Sequence, residues 1–160
     1  MPSEDEWYNA AYYKGGSTNA GYWEYPTSSN TVPGRDMADA SGNNANYWLN
    51  GYLIGSPYYR TEVGEFQNSD SPYGTFDQGG NVWEWNEAIM YAAYRGMRGG
   101  SFSSGGSILR ASYRWYSSYP TDRHYSIGFR VSAVVPEPSS IITLAAGLGM
   151  LLGLKRRRRA

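Results

Sequence analysis

Apolar and polar positions along the chain predict one short helix, a long irregular middle and a few short strands. Ser3 and Glu6 stand in the relation of a capping box, so a helix is expected over Glu4–Tyr13. Trp7, Ala10 and Ala11 follow at i, i+3 and i+4, which gives that helix one apolar face. Lys14-Gly15-Gly16 ends it. A helix of about three turns is marginal alone, so its face must find a core elsewhere in the fold. From Ser17 to Asn44 the chain is Gly, Asn, Ser, Thr and Pro with scattered aromatics, a loop composition. A short strand is expected within it at Gly21–Pro26, and another at Arg60–Phe66. Asp70–Gly74 reads as a Ser-Pro turn. Around Trp83 and Trp85, the stretch Asn81–Ala88 alternates, either as one buried and one partner-facing ring or as a short twisted strand. Leu109, Ala111, Tyr113 and Trp115 alternate with Arg110, Ser112, Arg114 and Tyr116, which predicts a strand over Ile108–Tyr116. Phe129-Arg130-Val131 reads as the last strand.

Composition changes what the core can be. The 160 residues allow one domain. Sixteen tyrosines, six tryptophans and four phenylalanines outweigh the sparse Leu, Ile and Val, so aromatics must carry the burial, and buried tyrosines need hydroxyl partners. Twenty glycines and eight prolines imply short elements. The aromatic content argues against disorder. The formal net charge is zero, but Lys155 and Arg156–Arg159 hold five of the 14 basic residues. The body is therefore mildly acidic and lacks a basic patch, which argues against nucleic acid as a partner. No cysteine is present, which removes disulfides, thiolate ligands and a cysteine nucleophile.

Three dense blocks organise the second half: Gly80-Asn81-Val82-Trp83-Glu84-Trp85, Arg98-Gly99-Gly100-Ser101-Phe102 and Gly128-Phe129-Arg130. Each mixes aromatics and a charge with glycines, which let backbone approach backbone. Their order and spacing resemble the formylglycine-generating enzyme (sulfatase-modifying factor) family, in its C-terminal half. The resemblance implies an irregular, turn-rich α+β domain over residues 1–133, a variant of the C-type lectin fold. In the family a segment like Glu4–Tyr13 lies in mid-domain after Arg-Leu, and Met1 stands where that Leu would be. The N-terminus is accordingly expected to be incomplete.

The family's oxidases use two cysteines soon after the Arg-Gly-Gly-Ser block. Ser104 stands in place of the first, and the second falls at or near Leu109. A hydroxyl is a poor soft-metal ligand and does not ionise near neutral pH. No copper is expected, and the resemblance implies a non-catalytic binding or structural module. The alternative is an oxidase of the formylglycine-generating type acting on protein cysteine. Trp83 and Ser101 match positions lining the oxidase's oxygen pocket; without cysteines their expected role is packing and turn formation. The resemblance further implies structural Ca2+ held by Asp77, Glu84 and the carbonyls of Gly80 and Val82. Glu84 could instead pair with a buried arginine such as Arg98 or Arg130. A second Ca2+ set maps to Asn46, the Tyr47 carbonyl, Asn50 and the Tyr52 carbonyl, weakened by an Asn where an Asp is expected.

Other chemistry finds little support. His124 is the only histidine, so no His-based metal site can be assembled. Neither Ser101 nor Ser104 lies in a Gly-x-Ser-x-Gly elbow, so a hydrolase triad is disfavoured, and His124 is expected to be solvated. Binding through aromatic rings is the other expectation, with Tyr116, Tyr119, Tyr125, Trp23 and Tyr25 as candidates and Trp83, Trp85 and Trp115 assigned to the core.

After Val135 the composition shifts. Pro136-Glu137-Pro138 precedes an apolar run at 141–154 and the cluster Lys155, Arg156, Arg157, Arg158, Arg159. As a helix the run spans about 21 Å, short of a ~30 Å hydrocarbon core unless flanking residues extend it. The basic cluster should stay cytoplasmic, placing the body outside the inner membrane. The three parts resemble the PEP-CTERM sorting signal over residues 134–160. That resemblance implies a bacterial protein carried across the inner membrane and transiently anchored there. It implies cleavage near the Pro-Glu-Pro triplet by an exosortase, then the cell surface or matrix, with exopolysaccharide or a surface protein as partner. Met1–Tyr13 carries neither the basic nor the apolar region of an export signal.

Overall fold

A computed structural model describes residues 1–16, 18, 20–91 and 93–133, except the side chains of 116 and 117. The sorting segment, including the expected span at 141–154, lies outside the described residues. Helix α1 covers Glu4–Tyr12, within a residue of expectation. The Ser3 hydroxyl accepts the Glu6 N–H at 3.2 Å and the Glu6 carboxylate accepts the Ser3 N–H at 2.7 Å, so the capping box is complete. Acidic Glu4, Asp5 and Glu6 in the first turn complement the helix dipole.

Four strands form one sheet in the order β3-β2-β1-β4: β1 Trp83–Met90, β2 Tyr94–Arg98, β3 Trp115–Ser118 and β4 Ile127–Phe129. β1 pairs antiparallel with β2 and parallel with β4, and β2 pairs antiparallel with β3. The architecture is mixed α and β with little regular structure, as expected for a chain so rich in glycine and aromatics.

Two cores meet beneath α1. One gathers Trp7, Ala11 and Tyr12; the other gathers Tyr25, Ala45, Tyr47 and Leu109. They are joined where the Tyr12 hydroxyl donates to the Leu109 carbonyl at 3.0 Å. Buried tyrosines find partners, as their polar tips require: Tyr47 donates to the Pro33 carbonyl and Tyr25 accepts from Arg110. Burial pushes the Tyr12 phenol far above its ordinary value, so it stays a neutral donor. Trp7 and Ala11 are fully buried within this chain, so the helix face is satisfied by the described residues themselves.

Several expected elements differ. Gly21–Pro26 forms only isolated bridges, Tyr13 to Tyr22 and Tyr25 to Ser29. Arg60–Phe66 is irregular, because its backbone bonds to an amide: Thr61 N–H donates to Asn81 Oδ1, and Asn81 Nδ2 donates to the Thr61 carbonyl. Ile108–Tyr116 is not one strand. A 3₁₀ turn occupies Gly106–Leu109, and β3 begins only at Trp115. The last strand ends at Phe129, leaving Arg130 and Val131 beyond it. The turn at Asp70–Gly74 is present, closed by Gly74 N–H to the Ser71 carbonyl at 2.9 Å.

Candidate functional site: the motif junction and the two sides of the sheet

The glycine-bearing blocks interlock through backbone. Gly80 N–H donates to the Gly99 carbonyl at 2.8 Å, Asn81 N–H to the Asn46 carbonyl at 2.7 Å, and Phe102 N–H to the Asn81 carbonyl at 2.9 Å. Gly80 (φ +77°) is required here twice over: a Cβ would strike the Asn46 carbonyl, and the left-handed backbone disfavours other residues. The first two sequence blocks thus meet as one junction.

Beyond the junction, β1 alternates in an inverted sense. Glu84 and Asn86 are buried, whereas Trp83 and Trp85 are only half-buried. The inward side carries charge. Glu84 accepts from Arg130 through both oxygens, at 2.5 Å from Nε and 2.6 Å from Nη2, and from Trp7 Nε1 at 2.6 Å. Of the two arginines that sequence suggested for Glu84, the structure selects Arg130. Arg98, although opposite Glu84 in register, bonds Glu4, as does Arg114 at 2.6 Å, while Asn86 donates to the other Glu4 oxygen. Sequence reasoning missed the Glu4 cluster, since Glu4 reads only as a first-turn acid.

On the outward side, register places Trp85, Met97 and Trp115 in one row, with Trp83 and Trp85 opposite Ile127 and Phe129. Trp83 lies 5.8 Å from Trp115 and 6.1 Å from Tyr113 between ring centroids. Trp115 is 40% exposed and Phe129 67%. Assignment of Trp115 to the core is therefore corrected, and Tyr25, 1% exposed, is removed from the ring-binding candidates. Tyr119 and Tyr125 are exposed as expected, and their rings pack on Tyr94 and on Phe102 and His124. Trp23 is half-buried beneath the Lys14 ammonium. The Tyr116 side chain lies outside the described residues. His124 is exposed, and its ring Nδ1 lies 2.7 Å from the Ser126 hydroxyl.

Where the oxidases carry cysteines, Ser104 Oγ accepts the Ser101 N–H at 3.0 Å and Leu109 fills the core, 0% exposed. Ser101 is buried in the same turn, with its hydroxyl 3.1 Å from that of Ser103. These hydroxyls serve a tight turn.

The first calcium set does not fit a divalent ion as arranged. Both Glu84 oxygens face a guanidinium, and Asp77 Oδ2 accepts the Gly64 N–H at 2.6 Å. Gly80 and Val82 lie on the same turn, and an open cleft of about 360 Å³ is lined by Val63, Phe76, Asp77, Val82, Phe129 and Arg130 among others. Burial raises the Asp77 carboxyl above its usual range, opposed by the Gly64 hydrogen bond. Among the described residues no three acidic or histidine groups gather to cage a metal. In the second set, Asn46 is fully buried, and among the described residues its Oδ1 has no hydrogen-bond partner. Tyr47 is buried beside it, whereas Asn50 and Tyr52 lie on an exposed turn where the Tyr52 carbonyl accepts from Leu49.

Residues 1–134 match the sulfatase-modifying factor enzyme 1-like domain. The chain belongs to that family. Residues 134–159 of this sulfatase-modifying-factor-like chain match the PEP-CTERM protein-sorting motif, which marks exosortase-dependent sorting to the bacterial cell envelope or surface. Among solved structures it is similar to the Treponema denticola variable protein 1, at 23% identity and a TM-score of 0.54 over 81% of this chain. The chain spans 45% of that protein's length, and at this identity the likeness concerns fold alone. No curated protein matches the chain. Among the described residues no helix is long and apolar enough to cross a membrane.

Proposed function

We propose that this sulfatase-modifying-factor-like domain is a non-catalytic binding module, delivered by its sorting motif to the surface matrix, where it holds exopolysaccharide. After transient membrane anchoring, exosortase cleavage near Pro136-Glu137-Pro138 frees the domain. The half-exposed aromatic side of the sheet carries this reading: Trp83, Trp85, Trp115 and Phe129 share that side, with the Trp83 and Trp115 rings tilted at 43° to each other and Tyr113 beside them. Sugar rings want flat apolar faces with polar groups at the edge. At the far end of β3 the Tyr94 and Tyr119 hydroxyls supply such an edge, bonded to each other at 3.1 Å. The lack of any cysteine supports binding over oxidation. Calcium enters the reading at Asn46, whose free Oδ1 would hold it with the Tyr47 carbonyl; the ion would supply rigidity there.

The test is a tryptophan-fluorescence titration of the processed protein with exopolysaccharide from the producing cells. Saturable quenching, with its midpoint raised about tenfold in Trp115→Ala, is expected. Absence of any response, or one unchanged in that variant, overturns the reading in favour of a protein partner. A cysteine-bearing sulfatase peptide should stay unmodified in parallel; its conversion to an aldehyde would establish the oxidase instead.

A further inference from the structure

We propose that Arg130 is the built-in cation of the Asp77–Glu84 turn, neutralising the carboxylate that a divalent ion would otherwise hold. The inference is independent of what the aromatic side binds. Glu84, 7% exposed at its side chain, is a buried carboxylate and requires both a counter-charge and donors. Arg130 supplies both through a two-pronged contact, and Trp7 Nε1 adds a third donor at 2.6 Å. The same guanidinium reaches back to the Phe76 carbonyl at 3.0 Å, next to Asp77. The Glu84–Arg130 pair thus ties separate pieces together: α1 through the Trp7 bond to Glu84, the turn before β1 through the Arg130 bond to Phe76, and the segment after β4 that carries Arg130.

A Ca2+ ion needs six to eight oxygens and carries two charges. Placed against Glu84 it would sit beside the guanidinium, and like charges at such range repel strongly where water is scarce. Asp77 cannot compensate alone, since one oxygen is already taken by the Gly64 N–H. The fork also has a geometric advantage: it is planar and permanently charged, so it matches the carboxylate without recruiting water or further ligands. Glu84 is therefore charge-balanced by a residue of the chain itself.

The test compares thermal melting of the full chain in detergent with excess Ca2+ and with chelator. For wild type, any Ca2+ shift should survive Glu84→Gln and vanish in Asn46→Ala, which separates this site from the Asn46 proposal. Arg130→Gln should melt lower in chelator and recover by several degrees with Ca2+, a gain abolished by adding Glu84→Gln. Should Arg130→Gln fail to fold in chelator, recovery of its circular dichroism on adding Ca2+ reads the same effect. Arg130→Lys keeps the charge and should remain insensitive. A wild-type Ca2+ shift that disappears in Glu84→Gln, or an Arg130→Gln protein indifferent to Ca2+, overturns the proposal.

Discussion

The two sides of the four-stranded sheet invert the usual arrangement of an amphipathic sheet. The side beneath α1 is polar and buried, with Glu84, Asn86 and Arg98 locked to Arg130, Trp7 and Glu4. The other side is apolar and half open, with Trp83, Trp85, Trp115, Ile127 and Phe129. Hydrophobic burial alone would turn the strand over. What holds it is that every inward charge has a partner, so leaving the pairs would strand several ions, while the tryptophans bury part of their surface even outward. Such a sheet spends stability on keeping aromatic area available, which suits a surface that meets a ligand.

The polar side is most vulnerable at Glu4. Glu4→Ala leaves the buried Arg98 guanidinium without its counter-charge and should cost about 3–5 kcal/mol in urea unfolding. A loss below about 1 kcal/mol would mean that the inward side is hydrated and not a locked layer. On the outward side, Trp115→Ala should leave the fold within about 1–2 kcal/mol of wild type, because the ring is partly in water already. The same change should weaken polysaccharide binding by about tenfold, equivalent to ~1.4 kcal/mol. Equal losses from the two variants in stability would erase the distinction between the sides.

Smaller effects are expected at the helix cap and at Asp77. Ser3→Ala removes the cap that aims α1 at the polar side and should cost about 1 kcal/mol. The Ser3 backbone N–H, then its hydroxyl, hold the Glu6 carboxyl below its ordinary value. This depressed group contributes stability above the usual carboxylate range that is lost as pH falls through its folded value; Ser3→Ala removes the hydroxyl but keeps the backbone donor, so it should flatten only part of that acid limb. Asp77 has the opposite sign. Burial raises it, so the folded state gains relative stability below the ordinary carboxylate range and loses it as pH rises through the raised value. Asp77→Asn should therefore match or slightly exceed wild type in melting temperature at neutral pH. Asparagine can still accept the Gly64 N–H and tolerates the φ of +57°. A lower melting temperature at pH 7 would show that the negative charge itself is needed there.

Much of the fold was legible where the signal is local. The Ser3/Glu6 pair located α1 because both halves of a capping box lie within four residues. Alternation around Trp83 located β1, and the glycines of two blocks announced a close backbone junction. Where alternation misled, at Ile108–Tyr116, the segment's bonds go to loops: Ala111 N–H donates to the Glu24 carbonyl, and Gly106 packs so tightly on Val32 and Tyr47 that no Cβ fits. A periodic pattern records which residues share a side; it does not record whether a neighbouring strand is present to bond them. Arg60–Phe66 failed similarly, since a side-chain amide from Asn81 took the place of a strand partner.

By itself the sequence determined the capped helix, an aromatic core, the absence of thiol chemistry and a tripartite tail, because each follows from residue identity or short spacing. Tertiary structure alone decided which side of β1 faces inward and which arginine meets Glu84. Those choices rest on contacts 46 to 94 residues apart. A two-residue period is symmetric between its two sides, and only the arrival of distant charges breaks that symmetry.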